Sequence, residues 1–219
     1  MCGIFGIITS SNHNYSKKFL SKSFTKLAIL AESRGKDSSG VSILNKNRNF
    51  NILKGSVPIS ELIKNKNFKE LLHKSYYDRS HNNFLMGHAR LVTNGTQLSD
   101  DNNQPVIKNG TICIHNGIIT NIYDLWTKYA EFEREFEIDT EIVPLLFNKY
   151  IQENKPFSQF FKEIEGSAAL ALNFSDYNKL FLATNFGCIY TLHNSKDFFL
   201  FASENSMIDK MQRYIGKLI

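Results

Sequence analysis

The sequence has little cysteine, little proline and no long apolar run. Its three cysteines are Cys2, Cys113 and Cys188, and this odd, widely spaced set argues against both a disulfide framework and a zinc site. The four prolines, and the absence of any repeat of about 20 to 50 residues, argue against a linker or a solenoid. Apolar runs are far shorter than the roughly 20 residues that cross a bilayer. We therefore expect a cytoplasmic protein in which a functional cysteine acts as a free thiol.

The chain also has little arginine for its positive charge. Lysine and arginine total 26 against 21 acidic residues, which gives a formal net charge of +5, and only six of the 26 are arginine. The lysines are scattered among asparagines and isoleucines, whereas nucleic-acid-binding proteins usually cluster their charge and favour arginine. No nucleic-acid partner and no membrane partner is expected.

The 219 residues, 42% of them hydrophobic, suffice for one substantial core. Apolar patterning predicts a strand over 2–9 and an amphipathic helix over 16–33. Near the other end, strands over 179–184, 188–192 and 198–202 are predicted to form an antiparallel meander. Strands in blocks, with paired helices between them, favour an α+β fold over a regularly alternating parallel sheet.

Cys2 occupies an unusual place for a thiol. It follows only Met1 and precedes Gly3, which has no side chain to obstruct access to the sulfur. If Met1 is removed, Cys2 gains an α-amine with a reference pKa of about 7.7–8.0, beside a thiol with one of about 8.5. Such an amine is partly unprotonated near neutral pH and can accept the thiol proton. The alternative is a small buried residue on a first strand, and position alone does not decide between them.

Two polar, glycine-flanked clusters lie in the first half of the chain. Residues 34–40, RGKDSSG, end the first helix and lead into a strand, and the plain interpretation is a helix C-cap with Gly35 in the left-handed conformation. Residues 87–95, GHARLVTNG, place His88 and Arg90 on one face of a strand. A buried arginine needs a fixed anion, and a carboxylate matches its planar fork.

Two further clusters follow. In the stretch 115–121, HNGIITN, the side-chain amide of Asn116 next to the unobstructed N–H of Gly117 suits a developing oxyanion. The alternative there is an Asn-Gly hairpin turn. Asp139 opens a predicted helix, where such a residue is usually an N-cap, although its carboxylate could also hold a substrate ammonium.

Taken together and in this order, the clusters resemble the class II glutamine amidotransferase domain, an N-terminal-nucleophile hydrolase module. The resemblance covers about residues 1–206. Within this family, the chain is similar to the glutaminase domains of glucosamine-6-phosphate synthase and amidophosphoribosyltransferase. The matching stretches are CGIFGI, RGKDSSG, GHARLVTNG, NQP, HNGIITN and DTE. The resemblance implies an α+β fold, a four-layer αββα sandwich of two antiparallel sheets flanked by helices, and it implies no metal or other cofactor.

The resemblance also implies a reaction. Cys2 would attack the side-chain amide carbon of L-glutamine and form a γ-glutamyl thioester, with release of ammonia. The α-amine of the same residue would carry the proton. Asn116 and the N–H of Gly117 would form the oxyanion hole.

The same resemblance implies four substrate-binding residues. Arg90 would pair with the α-carboxylate of glutamine and Asp139 with its α-ammonium. Thr93 would line the pocket, and Arg34 would support the site without acting in catalysis.

Two departures leave the ammonia acceptor open. The family commonly reads HTRWATHG where residues 88–95 read HARLVTNG, so that Leu91 replaces an aromatic residue and Asn94 a histidine. Those positions help couple the glutamine pocket to a partner active site in the synthase branch. In addition, we expect 1–219 to form one glutaminase domain without a synthase domain. The acceptor is then expected on a separate synthase subunit or on the rest of a longer chain.

Other residues near the motifs are expected to be structural. Cys113 and Cys188 lie inside strand-like runs, which predicts core or half-buried thiols. His88 and His115 are expected to pack and form hydrogen bonds, and not to act as acid or base. A catalytically silent relative that binds glutamine or acts as a regulatory scaffold remains the alternative function.

Overall fold

Two antiparallel sheets form the centre of the computed structural model, which describes residues 2–44, 49–75, 82–92, 96, 98–175 and 179–217. The first sheet has the order β3-β2-β4-β1-β10-β9 and the second the order β5-β6-β7-β8. The strands are β1 (Gly3–Thr9), β2 (Ser38–Leu44), β3 (Phe50–Gly55), β4 (Asn83–Arg90), β5 (Val106–Lys108), β6 (Thr111–Ile119), β7 (Gly166–Phe174), β8 (Leu180–Thr184), β9 (Tyr190–His193) and β10 (Phe198–Ala202).

Helices cover the outer face of each sheet. Those on the first sheet are α1 (Lys17–Ala31), α2 (Ile59–Leu62), α3 (Lys66–Ser75) and α7 (Asn205–Ile215), and those on the second are α4 (Ile122–Lys128), α5 (Ile142–Gln152) and α6 (Phe160–Glu163). None of the helices within the described ranges is long and apolar enough to cross a membrane.

Three buried apolar clusters separate the layers. Alternation along β1 places Phe5 in the cluster under α1 and its neighbour Ile4 in the cluster between the sheets, as the two-residue period of a strand requires. Phe147 and Phe160 belong to the third cluster, which lies between the second sheet and its helices. The predicted α+β, four-layer αββα sandwich is confirmed.

Helix α1 leads the chain toward the site. The hydroxyl of Ser16 accepts a hydrogen bond from the Phe19 N–H at 3.1 Å, which caps the helix start. A short 3₁₀ turn over Glu32–Arg34 follows, and Gly35 is then extended, with φ −178°. The left-handed C-cap expected at Gly35 is therefore wrong. Glycine is needed there for space, because a Cβ would lie 2.1 Å from the carbonyl carbon of Arg90.

The predicted C-terminal meander is also wrong, although its three strands form. Strand β8 pairs with β7 in the second sheet, whereas β9 pairs with β10 in the first. The chain therefore passes from one sheet to the other over 185–189. Apolar alternation predicts that a segment is a strand, but it carries no information on which sheet edge that strand joins.

Candidate active site

Cys2 lies at the start of β1, where the two sheets meet. Its backbone N–H donates to Oδ1 of Asn116 at 2.9 Å, and its thiol donates to the carbonyl of Leu91 at 3.5 Å. The residue is 8% exposed, and burial raises the pKa of the thiol above its ordinary value. The sulfur is therefore protonated at neutral pH, so attack on a substrate requires a base in contact with it.

Asn116 and Gly117 lie within β6, paired with Ala169 and Ala168 of β7. The alternative of an Asn-Gly hairpin turn is thus wrong. Gly117 has φ +157°, and a Cβ there would lie 2.0 Å from the carbonyl oxygen of Ser167, so both conformation and space demand glycine. Because Oδ1 of Asn116 accepts from Cys2, the Nδ2 amide is the end of that side chain that can donate to a bound oxyanion.

Arg90 ends β4 beside Cys2, since Gly3 pairs with Ala89 in the neighbouring strand. Its side chain is 4% exposed. Nη1 donates to the carbonyl of Asn102 at 2.7 Å and to Oδ1 of Asn103 at 2.8 Å. These contacts fix one edge of the guanidinium, a group with five N–H donors.

Asp139 begins a 3₁₀ turn over Asp139–Glu141, ahead of α5. It is no N-cap of that helix, because its Oδ2 accepts instead from the N–H of Ile119 at 2.9 Å. Burial raises the pKa of the carboxyl, but His115 and the hydrogen bonds from Ile119 and Thr140 outweigh burial and hold that pKa below its ordinary value. The residue is thus an ionised carboxylate next to the end of β6.

A cavity of about 500 Å³ opens beside this carboxylate. It has an apolar wall and a charged rim, and the residues that line it are Ile118, Ile119, Thr120, Ile122, Tyr123, Arg134, Glu137 and Asp139. Its volume lies within the range of small-molecule sites. Asp139 gives this lining an ionised acid, which suits a cationic group of a ligand, whereas Cys2, Arg90 and Asn116 do not line the cavity.

Residues 35–37 hold the segment that contacts the thiol. The N–H of Asp37 donates to the carbonyl of Arg90 at 3.0 Å, and its Oδ2 accepts from the N–H of Val92 at 2.8 Å. Leu91, whose carbonyl accepts from Cys2, lies between these two contacts. Sequence reasoning did not single out Asp37. Its place in the RGKDSSG motif is the feature that could have identified it.

Gln104 is a second residue that sequence reasoning missed, although it lies in the NQP stretch. Its Oε1 accepts from the N–H of His115 at 2.6 Å, and its Nε2 donates to the hydroxyl of Thr140 at 3.1 Å. It thereby connects β6 to the turn that carries Asp139.

The two remaining predicted site residues are Arg34 and Thr93. Arg34 forms an ion pair with Glu204, with 2.6 Å between Nη1 and Oε1, which connects the end of α1 to the start of α7. Thr93 lies outside the described residues. The structure therefore brings together Cys2, Arg90, Asn116, Gly117 and Asp139.

Four residues were expected to be structural, and the structure confirms this expectation only for some of them. Cys113 is fully buried in β6, whereas Cys188 is exposed and precedes β9, so its expected place in a strand is wrong. His115 forms hydrogen bonds, as expected, with the hydroxyl of Thr140 at 3.2 Å among its contacts. His88 is fully buried, but neither ring nitrogen has a hydrogen-bond partner among the described residues. Within those residues, no group of three or more histidines, cysteines or acids could hold a metal ion.

Comparisons with known proteins identify the family of the chain. The family model described as "Glutamine amidotransferase domain" matches residues 88–210. The 7-cyano-7-deazaguanine synthase of Saccharolobus solfataricus is 30% identical over 201 residues, which cover 89% of this chain and 40% of that protein. The isomerizing glutamine–fructose-6-phosphate aminotransferase of Sulfurisphaera tokodaii is 30% identical over 190 residues, which cover 84% of this chain and 30% of that protein.

The fold also occurs in solved structures. Glutamine phosphoribosylpyrophosphate amidotransferase from B. subtilis, in complex with ADP and GMP, matches with a TM-score of 0.68 at 19% identity, over 96% of this chain and 44% of that one. The chain thus spans less than half the length of each of these proteins. Because the family model covers more than half of the sequence, the chain belongs to the glutamine amidotransferase domain family.

Proposed function

We propose that this protein is a class II glutaminase domain that hydrolyses the side-chain amide of L-glutamine and delivers the ammonia to a synthase. The observation that carries the proposal is the 2.9 Å hydrogen bond from the Cys2 N–H to Oδ1 of Asn116. This contact supports the proposal because it joins Cys2, the proposed nucleophile, to a side-chain amide, the proposed oxyanion donor. It also orients the donor, because the oxygen end of the amide is already occupied.

The first half of the reaction forms a thioester. Removal of Met1 turns the Cys2 nitrogen into an α-amine, which takes the proton from the thiol as the sulfur attacks the amide carbon of glutamine. The carbonyl oxygen becomes an oxyanion that accepts from Nδ2 of Asn116 and the N–H of Gly117. The protonated amine then gives its proton to the departing nitrogen. The C–N bond breaks, and ammonia leaves a γ-glutamyl thioester on the sulfur.

The second half regenerates the enzyme. The α-amine takes a proton from a water molecule, whose oxygen attacks the thioester carbon. The oxyanion hole binds the second tetrahedral intermediate, the C–S bond breaks, and the sulfur recovers the proton. Glutamate leaves, so the sum is glutamine plus water giving glutamate plus ammonia.

Two opposite charges select the amino-acid end of the substrate. The Arg90 guanidinium pairs with the α-carboxylate of glutamine, and the ionised Asp139 with the α-ammonium. The family resemblance assigns Thr93 to the pocket wall and a supporting role to Arg34, whose side chain forms an ion pair with Glu204. The cavity of about 500 Å³ beside Asp139 has room for the α-ammonium end of the substrate, while Cys2 and Arg90 lie outside its lining.

Ammonia delivery requires an acceptor. We assign residues 1–219 to one glutaminase domain and the acceptor to a synthase subunit or to another part of a longer chain. The longer length of the relatives supports this division, because the matched segment is 40% of one synthase and 30% of an aminotransferase.

Three measurements on the purified protein test the proposal. Intact mass should show that Met1 is absent, and ammonia should be released from L-glutamine. Cys2→Ala should abolish the release, whereas Cys188→Ala, which removes an exposed thiol outside the site, should leave it unchanged. Glutamine binding without ammonia release would favour the catalytically silent relative, and full activity of Cys2→Ala would disprove a Cys2 nucleophile.

A further inference from the structure

Two cationic side chains hold two successive carbonyls of one buried segment. The Asn102 carbonyl accepts from Nη1 of Arg90 at 2.7 Å, and the Asn103 carbonyl accepts from Nζ of Lys54 at 2.9 Å. The side-chain Oδ1 of Asn103 accepts from both Arg90, at 2.8 Å, and the hydroxyl of Ser38, at 2.7 Å. Asn103 is fully buried. It therefore connects the arginine of the site to a lysine that lies in none of the sequence motifs.

A glycine lets the lysine reach this segment. Lys54 in β3 lies opposite Gly40 in β2, and a Cβ on Gly40 would lie 2.1 Å from the carbonyl oxygen of Gln104. The segment therefore lies directly against β2, and the Lys54 side chain reaches across the glycine to Asn103. Burial lowers the pKa of Lys54, while Asp101 and Asp100 of the same segment act in the opposite direction.

We propose that Lys54 is a positioning residue for glutamine binding, acting through Asn103 on Arg90. The inference rests on the proposed function, in which Arg90 binds the α-carboxylate. An arginine held by two acceptors on a fixed segment presents its guanidinium in one geometry, which lowers the entropic cost of binding a carboxylate. If the ammonium of Lys54 is removed, the Asn103 carbonyl loses its charged donor and the support of Arg90 loosens.

Kinetics of Lys54→Met test this role, since methionine keeps the unbranched apolar stem of lysine without its charge or donor. The expected result is a rise of about 5- to 30-fold in KM for glutamine, with kcat within about twofold of wild type. Lys54→Arg should restore most of the affinity because it restores a cationic donor. Lys64→Met, which removes an exposed lysine between α2 and α3, is the matched control and should leave both constants unchanged.

Two thiol reagents separate positioning from general damage to the site. A glutamine analogue with an electrophilic side chain needs Arg90 for its carboxylate, whereas iodoacetamide has no carboxylate. In Lys54→Met, labelling of the Cys2 peptide by the analogue should slow by the same factor as the rise in KM, while alkylation by iodoacetamide should keep its rate. Lys54→Gln, which keeps a neutral donor, gives a second variant should the methionine variant fail to fold.

Specific outcomes overturn the proposal. An unchanged KM in both Lys54→Met and Lys54→Gln, in a protein whose wild type hydrolyses glutamine, removes the role of Lys54 alone. Equal slowing by both reagents together with a lowered kcat shows a purely structural role. A wild type that neither hydrolyses glutamine nor reacts with the analogue overturns the proposed function and this inference together.

Discussion

His88 makes the folded protein sensitive to acid in a way that can be calculated. Its ring is fully buried between the sheets, where neither nitrogen makes a hydrogen bond of good geometry within the described residues. The backbone of His115 lies near enough to favour protonation, but this effect is smaller than that of burial. Burial, reinforced by the positive charge of Arg90, lowers the pKa of this histidine to about 3. In the unfolded chain the pKa returns to about 6.5. Below pH 6.5 the unfolded state therefore binds a proton that the folded state excludes.

The size of the effect follows from this difference. Above pH about 6.5 this histidine is neutral in both states, and the free energy of unfolding is at its full value. As the pH falls from about 6.5 toward 3, the unfolded state alone binds the proton, and the free energy of unfolding decreases. Each pH unit in this window corresponds to about 1.4 kcal/mol. A change from pH 8 to pH 5 should therefore remove about 2 kcal/mol of unfolding free energy through His88 alone, a large part of the stability of an ordinary domain.

The assay compares wild type with His88→Phe and His88→Asn by urea unfolding at pH 8 and pH 5. Each variant changes the stability itself through packing, but the quantity that matters is the loss between the two pH values. In both variants this loss should be about 2 kcal/mol smaller than in wild type. His73→Asn, at an exposed histidine of α3, is the control and should lose as much as wild type. An identical loss in wild type and both His88 variants would refute the reasoning.

The remaining predictions concern the proposed reaction. Gly117→Ala should lower kcat by about 10²- to 10³-fold, since its Cβ meets the Ser167 carbonyl and displaces an oxyanion donor. Urea unfolding should show a loss of about 1–3 kcal/mol as well, and an active, stable variant would contradict the close approach. Asp139→Asn should raise KM for glutamine by about 10- to 100-fold at nearly constant kcat, because a charged contact to the α-ammonium is lost. Equal KM values would exclude that contact. A lysine inserted between Met1 and Cys2 should leave the Cys2 nitrogen in an amide and lower activity by about 10²- to 10⁴-fold. Undiminished turnover, with the extension confirmed by mass, would show that another group is the base.

The general fold could be predicted because the motifs and their order resemble one family. Local patterning located the four strands predicted above within two residues of their observed bounds. It could not assign β8 and β9 to different sheets, since both have the same kind of alternation and the pairing depends on contacts distant in sequence. The conformation of Gly35 was predicted wrongly for a similar reason. A glycine after a helix usually indicates a left-handed cap, whereas here it makes room for the backbone of Arg90.

The candidate site, like the fold, could be predicted only in part. Cys2, Arg90, Asn116, Gly117 and Asp139 were named from motifs, and the structure brings them together. The residues that fix their geometry were not named. Asp37 and Gln104 lie in motifs, but a motif does not tell which hydrogen bond each of its residues makes. Lys54 lies opposite Gly40 in a neighbouring strand, and only the folded chain shows that its ammonium reaches Asn103.

The most direct test of the central claim is the mass of the protein during turnover. Wild-type protein mixed with L-glutamine and quenched rapidly in acid should have lost Met1 and should carry one added γ-glutamyl group. Fragmentation should place that group on Cys2, since a thioester is the intermediate through which ammonia is released. Cys188→Ala should form the same adduct and Cys2→Ala none. Ammonia release by Cys2→Ala, or an acyl group on any other residue, would contradict the account.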